Sequence, residues 1–326
     1  MRDERFYMTT VDFFLSSATG GGLSPSGEAF FSLFSEAAKF SDKRTVNILC
    51  SSSAKSKQKV LSEAIDNAPE NSVVERIHCA RNTDALDGVI VHHGKASTIT
   101  ASAGKMHKLY PSYPEVGENI IVIPDDGTNR SEELEKHMEI AGGLEAARGF
   151  LHAAARFDTD TRKIVAKYVD FAKLDKAAEK IASSLYGNKK GKGEINRRLI
   201  SAITKDGVVT LESAWTALCE EAYVVKDDYG VVADRICRIV ATKAVKAGEE
   251  VYVCLNPLNP EFIDHIILPK KKLGFIRQTK EWQTNFYPFK VISQQRFTAL
   301  KAETKVQIGF NKKAKEEMLK VAISKL

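Results

Sequence analysis

Apolar positions along this chain change period in a regular way. Thr45–Cys50 reads as a short buried strand, and a helical stretch follows from about Lys57 to Ile65. Val73–Cys79 is a second strand, while Gly88–Val91 and Ala96–Thr100 form a strand pair. Asn119–Ile123 is a further strand, stopped by Pro124. Strands separated by helical stretches predict βαβ units and a mostly parallel sheet. From Ser131 to about Phe157 the pattern turns helical, with Leu134, Met138, Leu144, Ala147 and Leu151 near one face and Asn129 with Glu132 as a capping box. Another helix spans about Leu174 to Leu185, and the glycine- and lysine-rich run Gly187–Gly193 reads as a linker.

Several segments recur in order. Leu15–Thr19 is echoed by Ile200–Thr204, and Ala29–Ala37 by Ala214–Ala222. Glu75–Cys79 is echoed by Glu250–Cys254, and Asp87–Val91 by Asp264–Leu268. The interval from Cys50 to Cys79 matches that from Lys226 to Cys254 to within one residue. Four echoes in one order imply a duplication. The expected architecture is α/β, with a first lobe at 1–130, a helical connector and linker at 131–194, and a second lobe at 195–326. The two halves are expected to superpose as one strand–loop–helix unit.

Composition narrows the class. Hydrophobic residues make up 43% and charged residues 28% of 326 positions, enough to bury a core without disulfide staples. The five cysteines are dispersed and form no C-x-x-C pair, which argues against a disulfide framework or a zinc knuckle. No continuous apolar run is long enough to span a membrane, and no apolar signal core follows Met1–Arg5, so no membrane partner and a cytoplasmic location are expected. The net charge of +6 admits a polyanionic partner, although the lysines are dispersed apart from 189–192 and 270–272.

The strand, loop and helix at 46–65 can be compared with the phosphate-cradling G-x-x-x-x-G-K-[ST] loop. The aligned residues are Ser51, Ser52, Ser53, Ala54, Lys55, Ser56, Lys57 and Gln58. Lys57 stands at the lysine position, Ser51 and Ser56 replace glycines, and Gln58 replaces the metal-holding hydroxyl. Glycines there allow positive φ and close approach of amides to phosphate. In the second half, Asp227–Asp234 stands at the loop. It keeps only Gly230 and puts Ala233 at the lysine position and Asp234 at the hydroxyl position.

With Gly20–Gly22, His78–Cys79, Asp84–Ile90, Tyr110–Pro114 and Ser201–Val209, this order resembles an uncharacterised bacterial family of tandem P-loop proteins, described as ATPases or nucleotide kinases. The likeness runs over most of 11–280. It implies two P-loop lobes, with ATP and magnesium as cofactors and an acid where Thr100 and Arg277 stand here. The losses imply a degenerate protein that binds or scaffolds with little NTP hydrolysis. A divergent active ATPase or kinase and a polyanion-binding protein are the alternatives. No cofactor and no catalytic residue is expected outright, and the second loop is expected to bind no nucleotide.

In the first lobe, Lys55, Lys57 and Lys59 beside the serines leave two readings, a phosphate or nucleotide site or a solvated helix start. Asp84 and Asp87 read as turn caps or as carboxylates of the family unit, and a role for Asp264 is open. Asp227, Asp228 and Asp234 read as a surface turn or, less readily, a cation site. Adjacent His92 and His93 point to opposite faces of a strand and so should not share a metal. Trp282, Phe286, Tyr287 and Phe289 read as a core seal or as a stacking surface for single-stranded bases. Residues 311–326 form an amphipathic helix able to dock on the sheet or on a partner.

Overall fold

The computed structural model describes residues 8–18, 30–37, 44–51, 53–102, 118–123 and 130–326. The first half runs β1 (Thr9–Phe14), β2 (Ser16–Ala18), β3 (Phe30–Ser32), α1 (Phe34–Ala37), β4 (Arg44–Cys50), α2 (Ala54–Asp66), β5 (Val73–Cys79), β6 (Asn82–His93), β7 (Ala96–Ser102) and β8 (Glu118–Val122). Two long helices follow, α3 (Arg130–Ala166) and α4 (Phe171–Tyr186). The second half repeats the plan: β9 (Glu194–Arg198), the hairpin β10 (Ser201–Thr204) and β11 (Gly207–Thr210), α5 (Ser213–Leu218), β12 (Glu221–Lys226), α6 (Val231–Lys246), β13 (Glu250–Leu255), β14 (Ile263–Leu268), β15 (Leu273–Gln278) and β16 (Lys290–Ser293). α7 (Ala302–Ile323) closes the chain.

The strand orders are β1-β5-β6-β7-β4-β8 and β9-β13-β14-β15-β12-β16, the same permutation twice. Pairing sense agrees strand for strand: β6 and β14 run antiparallel to both neighbours and the other pairs are parallel. The chain is a duplicated α/β protein.

Register then fixes the equivalences. Ile48 lies beside Ala101 and Ile120, and Val224 lies beside Ile276 and Val291. Cys50 therefore corresponds to Lys226, as expected from sequence. Gly88 faces Ala101 as His265 faces Ile276, so Asp87 corresponds to Asp264, also as expected. Other pairings shift. Ile77 faces Gly88 as Cys254 faces His265, which places Cys254 opposite Ile77 rather than Cys79. By the same frame Thr100 corresponds to Phe275, and Arg277 to Ser102. A two-residue slip keeps every side chain on its own face of a strand, so apolar alternation cannot detect it. The pairing of Ala29–Ala37 with Ala214–Ala222 also fails, because Phe30–Ser32 is strand where Ala214–Leu218 is helix.

The halves interlock along their first strands. Phe14 and Leu199 exchange N–H···O bonds of 2.8 and 3.0 Å, α1 packs on β9 and α5 packs on β1. One apolar cluster runs through both halves, from Val11, Phe13 and Ile77 to Tyr252, Val253 and Ile266. Phe13 stacks on Tyr252 at 5.4 Å.

Beside that stack lies a buried charge pair. Arg198 of β9 donates to both carboxylate oxygens of the fully buried Glu75 of β5, at 2.6 and 3.0 Å. Glu75 also accepts from His92 Nε2 at 2.6 Å and the Tyr252 hydroxyl at 3.0 Å. Burial alone would raise the Glu75 pKa, but Arg198 and His92 outweigh it and hold the carboxyl well below the usual range.

α3 and α7 pack antiparallel, with Thr304 bonded to Tyr168 at one end and Lys315 3.2 Å from Asp158 further along. At the other end, a Cβ on Gly143 would meet the Lys325 carbonyl at 2.4 Å, so a side chain there would force the helices apart. Ala147 and Leu151 are buried as expected, whereas Met138 is 65% exposed. The 311–326 helix begins earlier and docks on α3 rather than on a sheet. Asn129 lies outside the described residues. The Gly187–Gly193 run is anchored, with Gly191 and Gly193 donating to Lys246 and Val245 carbonyls. Among the described residues no helix is long and apolar enough to cross a membrane.

Truncating one partner of a buried ion pair strands the other charge in a low-dielectric core. Arg198→Ala should therefore lower unfolding free energy by about 3–5 kcal/mol in urea titrations. Arg198→Met with Glu75→Leu should cost much less than Arg198→Ala alone.

Candidate functional site

The two loops that follow the central parallel strands β4 and β12 are the places where an open α/β sheet presents helix N-termini to a ligand. In the first, Ser51 Oγ accepts the Ser53 N–H at 3.1 Å. Ser53, only 1% exposed, N-caps α2 by accepting the Ser56 N–H at 3.1 Å. Serine suits this position because its short hydroxyl reaches the first-turn amide that has no helical acceptor. Lys55 is exposed, Ser56 and Lys57 are half-buried, and Ser52 lies outside the described residues.

Gln58 is committed to the neighbouring strand. Its amide donates to the Leu86 carbonyl at 2.7 Å and accepts the Leu86 N–H at 3.0 Å, at the point where the β5–β6 register shifts. Thr100, at the position where an acid was expected, bonds Asn47 of β4 at 3.3 Å, and Asn47 accepts from Asn119 of β8 at 3.1 Å. Neutral amides and a hydroxyl thus span the three strands flanking the loop.

In the second loop a carboxylate occupies the helix start. Asp227, 1% exposed, accepts the Tyr229 N–H at 3.0 Å and the Ala233 N–H at 2.8 Å. Gly230 takes φ 74° immediately before α6, and a Cβ there would lie 2.3 Å from the Arg162 guanidinium. Arg162 of α3 donates to the Gly230 carbonyl at 3.0 Å. Arg277 donates to the Asp227 and Asp228 carbonyls and to the Asp264 carboxylate at 2.9, 3.1 and 2.7 Å. Asp228 accepts the Lys280 N–H, and Asp234 accepts the Ile263 N–H and pairs with Arg238.

These aspartates are therefore neither a loose surface turn nor a cation cluster. Each is consumed by backbone or arginine, because the loop is packed beneath α3. Among the described residues no group of three or more His, Cys, Asp or Glu is arranged to hold a metal. Asp264, whose role was open, neutralises Arg277, and the buried carboxyl stays ionised because Arg277 and Arg162 outweigh its desolvation.

The histidines are likewise engaged. His92 and His93 lie on opposite faces, bonded to Glu75 and Ser72 respectively. His78 Nε2 is 2.9 Å from Asp12, which also takes Arg76 in a two-pronged pair and the Ser213 hydroxyl at 2.7 Å. Burial alone would lower His78, but the Asp12 bond raises it above the ordinary imidazole value. Asp84 donates its N–H to Asn82 at the exposed start of β6, and Asp87 sits beside the Cys79 thiol, which burial pushes up to about 11. The aromatic stretch divides: Trp282 and Phe286 pack on the core, while Tyr287 and Phe289 are 89% and 57% exposed.

Sequence reading missed Asp12, Arg162 and Arg198. None stands in a motif; Asp12 alone carried a signal, as an ionic residue between the apolar Val11 and Phe13, whereas Arg162 and Arg198 lie in polar stretches and carried none.

No family model, curated protein or solved structure matches this chain.

His265 generates a pH dependence. Its Nδ1 accepts the Arg277 N–H at 3.1 Å within an aromatic box of Trp215 and Trp282, so it must be neutral there. Burial lowers its pKa to about 4. Between about 6.5 and 4 the unfolded chain binds the proton and the folded chain does not, so stability is complete above this window and falls with pH inside it. His265→Asn should reduce that slope by up to about 1.4 kcal/mol per pH unit in denaturation midpoints measured across the window.

The loops generate a second expectation. Ser53→Ala should cost about 1 kcal/mol as a lost helix cap. Asp227→Ala should cost more, on the order of 2–3 kcal/mol, because it frees the buried Ala233 N–H and the partly buried Tyr229 N–H and removes a carboxylate charge near Arg277. Paired chemical denaturation of the two variants checks the order.

Proposed function

We propose that this chain is a degenerate tandem P-loop-like protein that works by binding rather than by NTP turnover. In this reading the α2 N-terminus keeps a phosphate or nucleotide subsite, with Lys55 and Lys57 supplying charge. The second lobe is a structural partner that has exchanged its ligand for an internal carboxylate.

The observation that carries the reading is Asp227. Its carboxylate accepts the Ala233 N–H in the first turn of α6 and the Tyr229 N–H of the loop before it, groups that would face a phosphate, and it does so while almost wholly buried. A triphosphate would have to displace a side chain that is itself an anion. The first loop is less occupied, since neutral Ser51 and Ser53 hydroxyls close it and leave lysine charge nearby. The two parallel neighbours of each loop strand and the strand–loop–helix order also agree with it.

Phosphoryl transfer needs a lysine, positioned amides and a metal held by hydroxyl and carboxylate. Of these, the first loop keeps Lys57. Gln58 is turned to Leu86, and Thr100 stands where the acid is needed. A lysine alone attracts phosphate but stabilises little of the transition-state charge.

Steady-state assays with magnesium and ATP should give no turnover above background, while phosphate or ATP should raise the melting temperature in a Lys57-dependent, salt-sensitive way. Turnover on the order of 1 per second, abolished by Lys57→Ala, would overturn the proposal.

A further inference from the structure

A cavity of about 170 Å³ lies where the two halves meet the α3–α7 pair. Its walls, among the described residues, come from four parts of the chain. Ala18 ends β2, Ala80 and Arg81 follow β5, Ile203 and Thr204 end β10 with Lys205 just beyond it, and Leu144 lies on α3 and Leu326 just past α7. No lining residue is shared with the 51–58 or 227–234 loops.

The chemistry of the wall is two-sided. Ala18, Ala80 and Ile203 are at most 3% exposed, so the inner surface is apolar and built into the core of the fold. Arg81 and Lys205 stand at the polar side, and neither is engaged in an ion pair among the described residues. Thr204, the other polar liner, already spends its hydroxyl, donating to the Gly207 carbonyl at 2.9 Å and accepting the Asp206 N–H at 3.1 Å. Ligand recognition at the polar side therefore falls to two cations.

An apolar pocket at a junction between structural units, with few convergent polar groups, is the ordinary form of a small-molecule site. Cavities near this size take a single six-membered ring when they are dry. Arginine adds a flat fork suited to a carboxylate or a phosphate, and lysine adds a mobile point charge.

We propose that this cavity binds a small amphipathic organic anion. Its carboxylate or phosphate-monoester head lies between Arg81 and Lys205, and its ring-sized apolar body lies on Ala18, Ala80, Ile203 and Leu144. Such a ligand touches both halves and the helical pair together, so it stabilises their mutual arrangement as it binds.

The probes are benzoate, phenyl phosphate, neutral benzyl alcohol and inorganic phosphate, titrated by calorimetry and by ligand-observed NMR against the full chain and against its Lys57→Ala variant, in which the phosphate comparison is made free of the proposed loop subsite. At least one of the two aromatic anions should bind at least tenfold more tightly than both benzyl alcohol and inorganic phosphate, and the better of the two identifies the head group. Arg81→Gln with Lys205→Gln should weaken that anion at least tenfold while leaving benzyl alcohol unchanged. Lys205→Glu, at an exposed position, serves as a second variant and should weaken it in the same direction, with circular dichroism checking the fold of each. Lys57→Ala should leave this binding unchanged, which separates it from the proposed loop subsite. Equal binding of benzyl alcohol, equal binding of inorganic phosphate, an unaltered affinity in the double variant, or no binding of either aromatic anion would overturn the proposal.

Discussion

Glu75 and Arg198 form the contact on which the arrangement of the two halves depends. The pair crosses from β5 to β9 where both side chains are buried from solvent, and Arg198, His92 and Tyr252 supply four bonds to the carboxylate. A charge buried in this way is tolerated only when its partner is held in place. The Phe13–Tyr252 stack and the reciprocal Phe14–Leu199 bridge supply that rigidity. The apolar cluster that surrounds them is shared by both sheets, while a smaller one around Leu49, Leu61, Val74 and Val89 belongs to the first half alone.

The second polar assembly performs a different task. Arg162 and Arg277 gather Asp158, Asp264 and the carbonyls of 227, 228 and 230, tying α3 to the start of α6. Duplication made the two strand–loop–helix units equivalent, but only one of them lies under this arginine pair. Closing the second loop thus follows from where the long connector packs as much as from the loop's own residues. The first loop has no such cover among the described residues, and its serines satisfy the helix start locally.

Much of the architecture was legible in particular residues. The strand at Thr45–Cys50, the pair at Gly88–Val91 and Ala96–Thr100, and the helix stop at Gly187 all rest on short-range periodicity or backbone preference, and each appears in the structure. The repeat was legible because Cys50 and Lys226, or Asp87 and Asp264, stand in the same order. The slip between Cys79 and Ile77 was not legible, since residues two apart share a strand face. The candidate loop at 51–58 was found from the Lys57 spacing, yet the use of Gln58 depends on Leu86, a residue on another strand.

Local pattern by itself thus determined several of the strands and helices, their order and the fact of duplication, because periods of 2 and 3.6 and turn residues act over a few positions. Only the tertiary structure decided which charges would be buried together. Asp12 with His78 and Glu75 with Arg198 are joined by strand order, and Arg162 with the Gly230 carbonyl by helix packing. The stability of each such pair is set by the cost of desolvation against the gain from partner geometry, and neither quantity is encoded in sequence spacing.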